Sequence, residues 1–206
     1  MKKIENVYKE VLFQVLENQN NKMSQLELSK KLGISLSTVN FAIKKLEKIN
    51  SIKINKMNFV VISPMRILYL WASDRNLEKD IIFKANINMS VREIERNLSN
   101  VIYAGYSSYK LKFNDIPADY SEVYVYADEK QLEEIKKRFK GFIKDSNNPN
   151  FFVLKKSNKD YGKLDTIAQI FVDFWNLKTW YAQDFLNALE EKIKDKIKEK
   201  IGVKNA

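Results

Sequence analysis

Leu28-Ser29-Lys30-Lys31-Leu32-Gly33-Ile34-Ser35-Leu36-Ser37-Thr38-Val39-Asn40 contains the signal to stop one helix and, two residues later, the signal to start another. A glycine just past the last apolar position ends a helix because it takes the left-handed backbone conformation without a Cβ penalty. After Ile34 and Ser35 a new apolar period begins, opening on small hydroxylated residues. Too few residues separate Gly33 from Ser35 for a loop. Upstream, Ser24 followed by Glu27 has the form of a capping box, and Leu26, Leu28 and Leu32 line the helix that Gly33 ends. Downstream, Leu36 to Lys48 is predicted helical with Val39, Ile43 and Leu46 turned inward. Further out, Ile4, Val7, Tyr8, Val11, Leu12, Val15 and Leu16 recur every three or four residues, the face of a helix ending near 19–21. On the other side, 52–62 reads as two short strands around a polar tip at Asn55 to Asn58.

The chain has 206 residues, a length that favours two small domains. Hydrophobic residues make up 45% and charged residues 30%, enough to build a core and too ordered a mixture for global disorder. The net charge is +10, and 11 Lys against 5 Glu within residues 1–63 places +6 of it there and leaves +4 for 64–206. A front-loaded basic surplus favours a polyanionic partner. No apolar run approaches the length of a membrane span and no leader pattern opens the chain, so the expected setting is cytoplasmic, without a membrane partner. Cysteine and histidine are absent, which excludes disulfides, thiolate or imidazole metal sites, cysteine nucleophiles and a Ser-His-Asp triad.

Beyond the hairpin, Pro64 opens a helix expected to run as a linker over 64–79. A second domain is expected over 80–206. Within it, 80–87 reads as a strand, 90–98 and 101–112 as helices, and Glu122-Val123-Tyr124-Val125-Tyr126-Ala127 as a strand. Asp128 caps a helix through Phe139, Phe151 to Leu154 is a strand, Asp165 starts a helix, and a last helix spans about 179–201. Its Phe185, Leu189, Ile193, Ile197 and Ile201 form one narrow apolar stripe, suited to edge packing, a dimer contact or a solvated end. The fold class read from this alternation is α+β, with an α/β second domain and C-terminal helices.

Two helices joined by a short glycine-containing turn, the second opening on small hydroxylated residues, form a helix-turn-helix, and the hairpin after it supplies a wing. The segment 28–40 resembles the helix-turn-helix of many bacterial and archaeal winged-helix repressors, and that resemblance implies duplex DNA as partner. On the second helix, Ser35, Ser37, Thr38 and Asn40 are candidates for base edges or phosphates, Phe41 for a thymine methyl, and Lys44, Lys45 and Lys48 for the backbone. Lys53 and Lys56 are the wing's candidates. The related helices often carry Arg where Phe41 stands. A homodimer is expected because such readers match two half-sites. The competing reading of 1–63 is a protein-binding winged helix with solvated lysines.

In the second domain, Gly105-Tyr106-Ser107-Ser108-Tyr109 followed by a strand resembles the Gly-Ser helix start of the nucleotidyltransferase fold. Active members carry paired acids two apart on the next strand, about 7 Å between residues, near enough to share metal ions. Here Tyr124 and Tyr126 hold those places. Glu122 and Asp128 share that face, but six residues set their backbones about 20 Å apart. No catalytic residue, cofactor or metal site is therefore expected, with a nucleotidyltransferase-type enzyme kept as the alternative. That alternative would need Asp115, Asp119, Glu122 or Asp128 to converge on a metal. With Tyr103-Ala104-Gly105-Tyr106, the strands at 122–126 and 151–154, Ile167 to Phe174 and Ala182 to Leu189, the chain resembles the AbiEi-like antitoxins of type IV toxin-antitoxin systems. The resemblance implies an autoregulating, operator-binding antitoxin with a degenerate nucleotidyltransferase-like half and a cognate toxin as partner. Under it, Asp173, Trp175 and Trp180 would face that partner, whereas aromatic residues at helical spacing otherwise belong to a core.

Overall fold

The computed structural model describes residues 2–157 and 161–202, with the side chains from 199 onward outside the description. Chain contacts delimit two units. The first comprises Met1–Arg75, Thr166–Val172 and the chain from Leu189 on; the second comprises Asn76–Asp165 and Asp173–Ala188.

The first unit runs α1 (Lys3–Leu16), β1 (Lys22–Met23), α2 (Gln25–Leu32), α3 (Leu36–Lys48), β2 (Ile52–Ile54), β3 (Phe59–Val61) and α4 (Pro64–Asp74). The Ser24 hydroxyl accepts the Glu27 amide and the Glu27 carboxylate accepts the Ser24 amide, both at 3.2 Å, closing the start of α2. Gly33 ends that helix at φ +63° with open space around it, so the backbone angle and not crowding requires glycine there. Val7, Val11, Leu28, Val39, Ile43 and Leu46 join α1, α2 and α3 in one buried core. The strands form an antiparallel sheet in the order β1-β3-β2. Strand β1 is too short to carry a pattern of its own and takes its place by pairing Lys22 with Val60 and Met23 with Phe59.

The division differs from the expected boundaries in two places. Residues 64–75 do not form part of a linker, because Trp71 Nε1 and Arg75 Nη1 both donate to Glu5 Oε2 of α1 at 3.2 Å and bury with it. Nor is 80–206 one continuous domain. The Ile167 amide donates to the Glu17 carboxylate at 2.9 Å and the Tyr69 hydroxyl to Glu190 at 2.9 Å, so later segments fall within the first unit.

The second unit begins with a 3-10 turn (Leu77–Asp80) and continues through β4 (Ile81–Ile87), α5 (Val91–Asn97), β5 (Ile102–Ala104), α6 (Gly105–Phe113), β6 (Val123–Ala127), α7 (Glu129–Phe139), β7 (Ile143–Lys144) and β8 (Phe151–Lys155). It also takes the end of α8 (Ile167–Asn176) and the start of α9 (Ala182–Gly202). The sheet order is β5-β6-β8-β4-β7, with β6 and β8 parallel and the other pairs antiparallel. Both faces of β6 are covered: Val123, Val125 and Ala127 pack with Ile94, Leu132 and Phe139, while Tyr124 stacks on Phe152 at 4.5 Å on the other side. A strand covered on both faces reads as an unbroken apolar run, as this one does.

One expected helix is corrected. Over 101–112 the chain first forms β5, whose Ile102, Tyr103 and Ala104 pair with Tyr126, Val125 and Tyr124, and only then turns into α6 at Gly105. Gly105 sits at φ +50°, a conformation that separates strand from helix and that a side chain would resist. Of the stripe on the last helix, Phe185, Leu189 and Ile193 are buried and Ile197 is half-buried; the side chain of Ile201 lies outside the description.

Side chains of Glu5 and Arg75 are 4% and 1% exposed, so removing one leaves the other's charge buried without its counterion. Arg75→Met should lower the unfolding free energy by about 3–5 kcal/mol in urea titrations, and adding Glu5→Gln should restore much of that loss.

Candidate nucleic-acid interface

Helix α3 buries Val39, Ala42, Ile43 and Leu46 and exposes Ser37, Phe41, Lys44 and Lys48 on its opposite side. The hydroxyl of Ser35 is its N-cap, accepting the Thr38 amide at 3.3 Å, and lies 3.0 Å from the Ser37 hydroxyl and 2.8 Å from that of Thr38. Ser35 thus fixes the start of the helix and of a three-hydroxyl cluster, with Thr38 half-buried. Asn40 Nδ2 donates to Gln25 Oε1 at 3.0 Å, which ties α3 to the first residue of α2.

The lysines divide. Lys44 and Lys48 are exposed and have no ion pair or hydrogen bond among the described residues. Lys45 is half-buried, 3.8 Å from the Asp74 carboxylate and with its ammonium 5.3 Å from the centre of the Phe41 ring. Phe41 is 57% exposed. The structure therefore brings Ser37, Asn40, Phe41, Lys44 and Lys48 to one surface and directs Lys45 partly to α4.

The wing separates its two lysines. Lys22, Val60 and Lys53 form one row across the three strands, so Lys53 lies on the same sheet face as Lys22. The adjacent row, Met23, Phe59 and Ile54, points to the opposite face. There a groove of about 350 Å3 opens between the starts of α2 and α3 and the wing, lined by Gln25, Leu26, Leu36, Ile54, Lys56 and Met57. Lys56 belongs to the groove and Lys53 does not. No local pattern points to Gln25, whose partner lies 15 positions away, or to the apolar lining. Arg66 donates to the carbonyls of Ile49 and Asn50 at 3.1 Å and so caps the end of α3.

Two of the five glutamates in 1–63 are withdrawn from the surface: Glu5 faces Arg75, and buried Glu10 takes Lys31 at 2.6 Å. The exposed residue balance of this region is correspondingly basic.

In the second unit the carboxylates named from the sequence are dispersed among local partners. Asp115 accepts the Tyr109 hydroxyl at 2.8 Å, Asp128 caps α7 through the Gln131 amide, and Glu122 accepts the Tyr124 hydroxyl at 3.1 Å. Asp119 is exposed. No group of three acidic residues that could hold a metal occurs among the described residues. Tyr126 donates to Asp173, whose two oxygens lie 3.0 and 2.8 Å from its hydroxyl, which makes Asp173 a buried anchor of the sheet face. Trp175 and Trp180 are not core: Trp180 is 77% exposed and Trp175 lies open as well.

Residues 9–53 match a family described as winged helix-turn-helix DNA-binding, a match that runs from α1 into the first strand of the wing. No curated protein and no solved structure matches the chain. The N-terminal half of the first unit is a winged helix-turn-helix DNA-binding domain, within a chain of mixed α and β structure. Among the described residues no helix is long and apolar enough to cross a membrane.

Burial raises the pKa of Glu122 above the ordinary carboxylate value, against hydrogen bonds from Tyr124 and Tyr181 that lower it. The folded state therefore holds a proton that the unfolded state releases, and stability falls as pH rises from the ordinary carboxylate range through the raised value. Glu122→Gln should stabilise the chain at pH 7 and leave it unchanged below that range, as measured by unfolding midpoints across pH.

Proposed function

We propose that the chain is a transcriptional regulator that grips duplex DNA with α3 in the major groove and the wing alongside. The observation that carries this reading is the pair Lys44 and Lys48, which have no partner among the described residues and share an exposed face with Ser37 and Phe41. The start of α3 at Leu36 and Ser37 suits a phosphate, since it carries the positive end of the helix dipole. Lys56 at the wing tip extends the contact to a neighbouring phosphate, while Lys53 and Lys22 are set to act through the longer-range field. Two copies bound as a homodimer would read half-sites about one DNA turn apart.

The finer reading is an autoregulating antitoxin, and it rests on the resemblance given above. Tyr124 and Tyr126 occupy the positions where active nucleotidyltransferases carry acids, which favours a partner-binding role for the second unit over transfer chemistry. The exposed Trp175 and Trp180 supply surface for a cognate toxin. Co-purification of a nucleotidyltransferase toxin encoded beside this chain would support the antitoxin reading; no association with such a neighbour would remove it.

Duplex binding is tested by fluorescence anisotropy over a salt series. Lys44→Glu with Lys48→Glu should weaken binding by about 100-fold or more at low salt and flatten the log-log salt slope by about two, with unchanged circular dichroism. Wild-type affinity in that variant would overturn the assignment.

A further inference from the structure

We propose that Asn40 reads an adenine in the major groove and that Gln25 is the residue that positions its amide to do so. This rests on the duplex-binding reading above and goes on to name the base that is read.

An asparagine side chain carries a donor and an acceptor that exchange places when the amide turns over, so by itself it discriminates poorly. In this structure the Asn40 amide is tied to a second amide across the turn. Asn40 Nδ2 gives one N–H to Gln25 Oε1 at 3.0 Å, with both side chains half-buried between α2 and α3. The second N–H and Oδ1 have no other partner among the described residues. That is the pattern adenine needs, since N7 accepts and the N6 amino group donates. Guanine presents acceptors at both N7 and O6, and Oδ1 would face O6 without a proton between them.

The placement agrees. Ser37, Asn40 and Lys44 follow one another at three and four residues, forming a single stripe on the front half of α3, and the flanking members of that stripe are exposed. Docked helices of this type bring their N-terminal residues to base edges. Leu36 and Phe41 stand exposed on either side, and their apolar surface suits the methyl group of thymine. No arginine lies on α3 to form a bidentate pair with guanine. Gln25 starts from a fixed backbone position because the Ser24 and Glu27 capping box closes the turn in which it lies. The start of α2 thereby sets the specificity of α3.

The test uses the full chain and a preferred duplex selected from a randomised pool, in which single adenines are replaced by guanine or by 7-deazaadenine. At one adenine per half-site, guanine should weaken wild-type binding by roughly 5- to 150-fold. 7-Deazaadenine should cost part of that, and Asn40→Ala should respond to neither. Gln25→Leu should lose the preference, whereas Gln25→Glu, which keeps an acceptor for the Asn40 amide, should retain it at lower overall affinity. The base analogue alters only the DNA, so its result stands even if a Gln25 variant fails to fold. If no adenine couples to Asn40, if Gln25→Leu keeps the preference, or if the pool returns no preferred sequence, this assignment is wrong while duplex binding stands. If no duplex is bound with salt-dependent affinity, the DNA-binding reading itself fails.

Discussion

The presentation of α3 depends on how the chain turns between Gly33 and Ser35. At φ +63° Gly33 reverses the backbone so that the Ile34 amide returns to the Ser29 carbonyl at 3.2 Å, and the Ser29 hydroxyl donates to the Ile34 carbonyl at 2.7 Å. A residue with a Cβ in that conformation costs about 1–2 kcal/mol. With the orphan groups at the end of α2 satisfied, Ser35 is already placed to accept the Thr38 amide and start α3. No slack remains between the two helices. The angle at which α3 leaves α2 is then secured by the packing of both helices on α1, with Leu28, Val39 and Ile43 buried. Changing any one of these three would shift the whole exposed face at once, since close-packed interiors transmit strain and do not absorb it locally.

Elements whose determinants are local could be read from the sequence. The caps at Ser24 and Asp128, the stop at Gly33 and the start at Pro64 all depend on residues within a few positions of the helix ends they set. Elements defined by distant pairing could not. Strand β1 exists because of Phe59 and Val60, far along the chain, and β5 exists because β6 offers it a ladder. In isolation, Val101 to Lys112 has the spacing of a helix. The same distinction holds at the interface. The exposed face of α3 follows from its period, whereas the tie from Asn40 to Gln25 and the pull of Asp74 on Lys45 cross between helices. Sheet parity likewise set Lys53 on the face away from the groove, and parity becomes legible only once the register of β2 against β3 is known.

The second unit builds one sheet face from aromatic residues and then has to satisfy their hydroxyl groups. Tyr106 packs within 5.3 Å of Phe174 and 4.9 Å of Phe185, and its hydroxyl pairs with Thr179. Tyr124 uses Glu122 and Tyr126 uses Asp173 in the same way. Each buried phenol thus brings a polar partner with it, because a hydroxyl left without one costs about 1–3 kcal/mol. These acids serve the tyrosines. That explains how acidic residues can be frequent near β6 without lying close to one another.

On the face proposed to bind DNA, charge and the groups suited to base contact are separated. The exposed ammonium groups of Lys44, Lys48 and Lys56 sit at its margins, while the middle is built from amides, hydroxyls and apolar side chains around the groove at Gln25 and Leu36. Coulomb attraction to phosphates acts over roughly a Debye length of about 8 Å and is indifferent to base sequence. Hydrogen bonds and methyl contacts act only at contact distance and depend on the base. A lysine in the middle would confer affinity everywhere and so reduce the difference between sites. Drawing Lys45 towards Asp74 and the Phe41 ring works in the same direction, since it moderates the charge nearest the residues proposed to read bases without removing the attraction at the edges.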